Sequence, residues 1–289
     1  MAPQHLLLML VVNLVWGFTF VAGKWGVTEL PPILFTGLRF LLIAAVLSPF
    51  LKIHRGQMKA LVIIAMFSGA LHFSAFYGGM SLAEDASTIA IAIQLGVPFS
   101  TIMSVLFLGE RIGWRRASGI GLAFGGIMVM SFDPRVFDYI EGMALAVLAA
   151  LMAAIATIFM KRLYDVRVFE LQAWVALFSF PVLFIFSALT ESGQLAAVQN
   201  AGWMGWTGVI YTAIGASLVG HAGMYYLIQK YDVSLTAPLT LLAPIFGVIF
   251  GVTIQGDVIT ARMALGGALT LLGCFIIAMR KRELVDTGP

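Results

Sequence analysis

Charge and cysteine are what this sequence has least of. Only 11% of its 289 residues are charged, against about a quarter in an ordinary soluble domain, while 61% are hydrophobic. That balance excludes a soluble globule. The one cysteine, Cys274, lies inside an apolar stretch, which excludes a disulfide framework and a cysteine-based metal site. There is no G-x-x-x-x-G-K-[ST] run to hold nucleotide phosphates, so primary pumping is not expected. No H-E-x-x-H or comparable array of ionisable residues is present either, which leaves an integral-membrane enzyme as a weak rival from another class. No cofactor is expected. A formal net charge of +3, spread along the chain, points to no nucleic-acid partner. The first apolar stretch starts near Leu6 with no basic n-region and no A-x-A cleavage pattern, and it reads as a retained span.

What the sequence does have is long apolar runs, at approximately 5–24, 31–51, 60–81, 87–108, 116–131, 140–161, 169–189, 204–229, 234–255 and 261–279. Runs of about 20 residues suffice to cross a bilayer as helices. They do not alternate, which excludes the strands of a membrane barrel. The expected fold is therefore an all-α polytopic membrane protein of ten transmembrane helices. With the N-terminus inside, the inner segments collect thirteen of the seventeen basic residues, among them Lys52, Arg55, Arg111, Arg115, Arg116, Lys161, Arg162 and Arg167. The outer segments keep Lys24, Arg135 and Arg262, so the positive-inside rule puts both termini in the cytoplasm.

The chain also repeats itself, at an offset of 146 to 149 residues. Ser68, His72 and Phe76 return as Ser217, His221 and Tyr225, each set spaced along one helical face. Pro98 returns as Pro244, Gly109-Glu110 as Gly256-Asp257, Arg115 as Arg262, Gly119 as Gly266 and Gly126 as Gly273. Each copy holds five spans, an odd number, so the second enters the membrane from the opposite side. We expect two inverted five-helix repeats, residues 1–134 and 135–289, together one transport domain. Inverted repeats place a solute site at the midplane, where rocking of one bundle against the other exposes it to either side.

In this order, several motifs resemble the EamA-type branch of the drug/metabolite transporter superfamily over nearly the whole chain. They are Trp16-Gly17, Pro32 with Arg39-Phe40, Pro98, Leu108-Gly109-Glu110-Arg111, the glycine-rich fifth span, and the echoes at Pro244 and Asp257. The resemblance implies a ten-helix inverted-repeat fold in the bacterial inner membrane and export of metabolites, most like the exporters of aromatic and neutral amino acids. Two departures stand out: Gln255-Gly256-Asp257 replaces the usual Gly-Glu, and no second arginine matches Arg39, so the halves are not equivalent.

Several residues are candidates to touch solute. His72 and His221 fall near mid-span, where an imidazole is costly unless it faces the interior or water. They are read as solute ligands, with Phe76 and Tyr225 as apolar walls and Ser68 and Ser217 as polar contacts; interhelical hydrogen bonding is the alternative. Pro98 and Pro244 each remove a helical donor, freeing the carbonyls of Gln94 and Thr240, whose side chains are polar too. A hinge or binding role and plain packing geometry both stand. Asn13, Trp16 and Phe20 share a face of the first span, with Trp16 as an aromatic wall. Arg39, about 12 Å into the second span by the helical rise, is read first as snorkelling to the outer interface and second as a carboxylate ligand. Glu110 with Arg115, and Asp257 with Arg262, are expected to cap or pair at turns. Gly121 with Gly125, and Gly247 with Gly251, permit close packing. No Asp or Glu lies mid-span, so facilitated diffusion is expected ahead of a histidine-based proton coupling. The partners expected are a small zwitterionic solute and the lipid bilayer, around a monomeric protein.

Overall fold

The structure is a computed structural model that describes residues 1–82, 92–131, 140–256 and 259–278. Asp257 lies outside these. Among the described residues every regular element is helical. The helices are α1 (Pro3–Glu29), α2 (Pro32–Leu47), α3 (Met58–Ala65), α4 (Leu71–Leu82), α5 (Gly96–Leu108), α6 (Trp114–Ser131), α7 (Ile140–Arg162) and α8 (Val168–Thr190). They continue with α9 (Gln194–Asn200), α10 (Trp203–Tyr211), α11 (Ala222–Lys230), α12 (Val233–Leu239), α13 (Leu242–Phe250) and α14 (Ala261–Ala278). Among the described residues seven helical stretches are long and apolar enough to cross a membrane, and Gly96–Leu108 is a shorter apolar helix. Large apolar side chains crowd the outside; Leu189, for example, is 77% exposed. Such a surface suits lipid, since a bilayer offers apolar side chains the environment that a soluble core offers elsewhere.

Three stretches expected as uniform helices are interrupted. A π-helical segment, Met66–Ala70, joins α3 to α4, and a longer one, Thr212–His221, joins α10 to α11. A third, Gly251–Gln255, extends α13. The run 234–255 also breaks at Thr240–Leu241, four residues before Pro244, because a proline has no N–H to donate back along the helix.

Packing is built from pairs. The largest interface joins α6 to α14, followed by α2 with α8; α4 and α5 both pack on α7, while α10 and α13 both pack on α1. The α6–α14 contact is possible because four glycines leave the backbones room. A Cβ on Gly126 would lie 2.5 Å from the Thr270 nitrogen, and one on Gly273 would lie 2.4 Å from the Ala123 nitrogen. Gly119 likewise meets the Gly273 carbonyl, and Gly266 that of Gly126. The expected glycine pair at 121 and 125 takes no part: nothing lies within 4 Å of either. Those two fall between the contact positions Gly119, Ala123 and Gly126.

Hydrogen bonds between loops define the two ends of the bundle. At one end Gln57 bonds the backbone of Tyr164, Arg162 the Phe107 carbonyl, and Lys161 the carbonyls of Ile228 and Tyr231. This end gathers Lys52, Arg55, Arg111, Arg115, Arg116, Arg167 and Lys230 on its loops and helix ends. At the other end Glu191 receives the Ile33 and Leu34 N–H groups at 2.7 and 2.9 Å, and Glu29 receives that of Gly202 at 2.6 Å. Carboxylates on helix starts are favourable because the first N–H groups have no partner within the helix.

Candidate functional site

The π segments Met66–Ala70 and Thr212–His221 and the two proline breaks, at Gln94 and Thr240, meet at a cavity of about 240 Å³. Its wall takes residues from α1 and α2, from the α3–α4 and α10–α11 stretches, and from α5, α7, α8 and α12. Of the residues proposed from sequence, Trp16, Ser68, His72, Gln94, His221, Tyr225 and Thr240 line it. Asn13, Arg39, Phe76 and Ser217 do not.

The two copies of the Ser-x-x-x-His stripe diverge in how far the π-helical turns, wider than α-turns, extend: the first holds Ser68 alone, the second both Ser217 and His221. In the first copy Ser68 sits within the π segment and donates to the Ile64 carbonyl at 2.7 Å. His72 comes one turn later, and its Nδ1 lies 2.9 Å from the Ala149 carbonyl. A carbonyl only accepts, so Nδ1 carries the proton and Nε2 of the neutral ring is left as an acceptor. Phe76 stacks on His72 at 6.4 Å between ring centroids, as a support rather than a wall.

In the second copy His221 meets Trp16, with centroids 5.1 Å apart and planes inclined by 54°. The indole Nε1 donates to the Ala216 carbonyl at 3.3 Å, which uses its only donor and leaves its ring face. Gly220 makes this possible, because a Cβ there would fall 2.4 Å from that nitrogen. His221 has no hydrogen-bond partner among the described residues. Tyr225 is almost fully buried, its hydroxyl accepting from Gln229 Nε2 at 2.8 Å.

Arg39 corrects the expectation of snorkelling. It is only 4% exposed, and its Nε and Nη2 donate to Ser217 Oγ at 3.1 and 2.9 Å. Its guanidinium lies 5.5 and 5.1 Å from the rings of Phe40 and Phe73, both of which line the cavity. Ser217 in turn donates to the Thr212 carbonyl, five residues back, at 3.1 Å. The arginine is drawn inward because the π segment offers a hydroxyl that both accepts from it and donates onward. Arg39 and Ser217 thus stand behind the wall and tie α2 to the α10–α11 stretch. Asn13 is fully buried and donates to the Met9 carbonyl of its own helix at 2.7 Å.

The proline breaks also differ from expectation. The carbonyls of Gln94 and Thr240 are not left open: Val97 N donates to the first at 3.1 Å and Ala243 N to the second at 3.0 Å. Each helix tightens to an i+3 bond where the i+4 donor is missing, and the same repair occurs at both equivalent places. Glu110 and Arg115 form no turn pair. Glu110 instead receives the N–H groups of Val233 and Ser234 at 2.7 and 2.9 Å, capping α12 from the other half of the chain. Its neighbour Arg116 reaches Asp232 at 3.2 Å and Ser234 at 2.6 Å, while the Arg115 guanidinium lies over Trp114. Arg262 makes an interaction of its own.

Residues that sequence reasoning missed include Ser100, Thr157 and Gln172, all in the cavity wall. They have no like partner at the repeat offset, so self-comparison could not raise them. Among the described residues no charged side chain lines the cavity, and no cluster of three or more His, Cys, Asp or Glu is placed to hold a metal.

A helical bundle with an apolar outside, around a small and mainly apolar cavity that carries a few polar groups, is the architecture of a polytopic membrane transporter. The chain belongs to the EamA-like transporter family, whose model matches residues 4–132 and again residues 140–279. It is 26% identical to a protein of Escherichia coli (strain K12) named "Probable amino-acid metabolite efflux pump", with 100% of both chains covered. It is 30% identical to an "Uncharacterized transporter" of Archaeoglobus fulgidus, covering 92% of this chain and 95% of that one. One solved crystal structure superposes with a TM-score of 0.80 at 18% identity, over 96% of both chains, and this likeness shows the fold.

Proposed function

We propose that this protein exports small metabolites without net charge, neutral or aromatic amino acids foremost, by alternating access at the cavity. The observation that carries the reading is the convergence of His72 and His221, from equivalent places in two repeats, on one cavity wall. Ten spans in two inverted halves, residues 1–134 and 135–289, are the architecture we assign, in a monomer in the bacterial inner membrane with both termini cytoplasmic.

Several observations support that architecture. Exchanging each helix with its counterpart in the other half keeps the principal contacts: α4 and α5 on α7 become α10–α11 and α13 on α1. At the α6–α14 interface Gly119 meets Gly273 while its repeat partner Gly266 meets Gly126, the reciprocal pattern of a two-fold contact. The family model's double match agrees with two units. The gathering of basic residues at one end supports a cytoplasmic assignment for that end. A cavity of about 240 Å³ is below the roughly 300–1,000 Å³ usual for drug-sized ligands, which favours a metabolite. The name of the Escherichia coli relative favours amino acids.

The transport we assign is facilitative. The test is uptake of labelled amino acids into proteoliposomes, with and without an imposed pH gradient. Saturable uptake without a gradient is expected, and His72→Ala or His221→Ala should lower it about tenfold while the protein still inserts. Uptake only with a gradient would make the histidines coupling groups. Unaltered transport by both variants would remove them from the site.

A further inference from the structure

The histidines, Trp16 and Tyr225 do not exhaust the polar groups facing the cavity. Most hydroxyls in its wall are satisfied within their own helix: Ser68 by Ile64, Thr157 by Ala153, and Thr240 by Ala237. The half-buried Gln94 carboxamide is one exception, and two buried side chains are the others. Ser100 on α5 and Gln172 on α8 both line the cavity, are each only 6% exposed, and have no hydrogen-bond partner among the described residues.

Buried polar groups in folded proteins are paired in the great majority of cases, so an unpaired one facing a cavity marks a place for a ligand or water. Gln172 is the more demanding of the two. A carboxamide has two N–H donors and an oxygen with two lone pairs, all directed in one plane. It can therefore give to a carboxylate and accept from an ammonium or hydroxyl with no charge of its own. With no charged side chain in the described wall, a solute bringing net charge would stay uncompensated, whereas one carrying donors and acceptors in balance would not.

We propose that Gln172, with Ser100 on the α5 wall, forms the polar subsite that receives the head group of a solute having donors and acceptors but no net charge, such as the ammonium–carboxylate pair of a neutral amino acid. This rests on the transport reading above and adds a specificity-determining side chain to it. The subsite selects by hydrogen bonds: a solute that leaves the carboxamide unpaired forfeits them and gains nothing in exchange.

The experiment compares wild-type protein with Gln172→Leu in proteoliposomes, using labelled phenylalanine, leucine, glutamate and lysine, and monitors thermal unfolding of both without solute. Wild type should favour phenylalanine and leucine over the charged pair. Gln172→Leu should raise the KM for the neutral solutes about tenfold, the scale of one well-made hydrogen bond. Its Tm should be unchanged or higher, because leucine leaves no buried polar group unpaired. An unchanged KM in a transporting variant would overturn the subsite and leave the transport reading standing. A lowered Tm would overturn it too, since the amide would then be serving the fold. Glutamate or lysine carried as well as phenylalanine would overturn the assignment of solute charge. If wild type carries none of the four, the amino-acid reading fails, and the unfolding arm alone decides the subsite: a Tm not lowered supports an amide reserved for some other neutral solute, a lowered one removes it.

Discussion

Arg39 illustrates how one backbone irregularity redirects a side chain. An arginine within an apolar span usually escapes to the interface along its own stem. Here the π segment turns the Ser217 hydroxyl into a relay between the guanidinium and the Thr212 carbonyl, and the two aromatic rings at 5.1 and 5.5 Å complete the burial. Ser68, the repeat partner of Ser217, only bonds back to Ile64. The two serines should therefore behave differently: Ser217→Ala should cost about 1–3 kcal/mol of stability, since it strips a buried cation of an acceptor, and Ser68→Ala well under about 1 kcal/mol. Thermal unfolding of both variants checks this, and equal losses would mean that the arginine does not depend on Ser217. At this scale much of the cavity was legible from sequence. Duplication raised His72, His221 and Tyr225, and the proline offsets raised Gln94 and Thr240. Ser217 was misplaced because an α-helical spacing was assumed across a turn that is π-helical, whereas Phe76 keeps its α-helical place beside His72 and packs against Ala92 and Ala146 instead of facing the cavity. Gln172 was not legible at all: what singles it out is an unmet hydrogen-bonding capacity, which only the surrounding structure defines.

Apolar runs located the elements well, because a lipid-facing helix needs length and hydrophobicity more than any particular sequence. The breaks inside them were read only in part. Pro98 and Pro244 announced theirs, but the i+3 repair that closes the Gln94 and Thr240 carbonyls is a backbone adjustment with no residue code. Glycine spacing was misleading in its own way. The repeat pairs Gly119 with Gly266 and Gly126 with Gly273, and those four make the α6–α14 contact, whereas the more familiar four-residue spacing at Gly121 and Gly125 faces open space. Gly273→Ala should therefore push a methyl group against the Ala123 backbone, 2.4 Å away, at a cost of about 1–3 kcal/mol, while Gly125→Ala should be neutral or slightly stabilising. Unfolding temperature and elution profile in detergent distinguish them. Similar behaviour of the two variants would contradict the contact.

Across the whole molecule, each end holds carboxylate clasps between helices that are distant in sequence. At the basic end Glu110 grips the start of α12, with Arg116 on Asp232 and Ser234 beside it; at the other end Glu191 grips the start of α2. Alternating access requires such contacts to release and re-form at one end at a time, so that the cavity between them opens to opposite sides in turn. Under the alternating-access mechanism proposed above, two packings of comparable energy follow from the near-symmetry of the contact pattern, and the departures from it, Arg39 on Ser217 and Trp16 against His221, are what would bias one over the other. The most direct test of this account is two-sided accessibility of the cavity. Ala153, in the wall, is replaced by cysteine in a chain whose native cysteine is removed by Cys274→Ala, and a membrane-impermeant maleimide is applied from either face in right-side-out and inverted vesicles. The account predicts labelling from both faces, slowed from both by a transported amino acid. Labelling from one face only, under every condition, would contradict alternating access at this cavity.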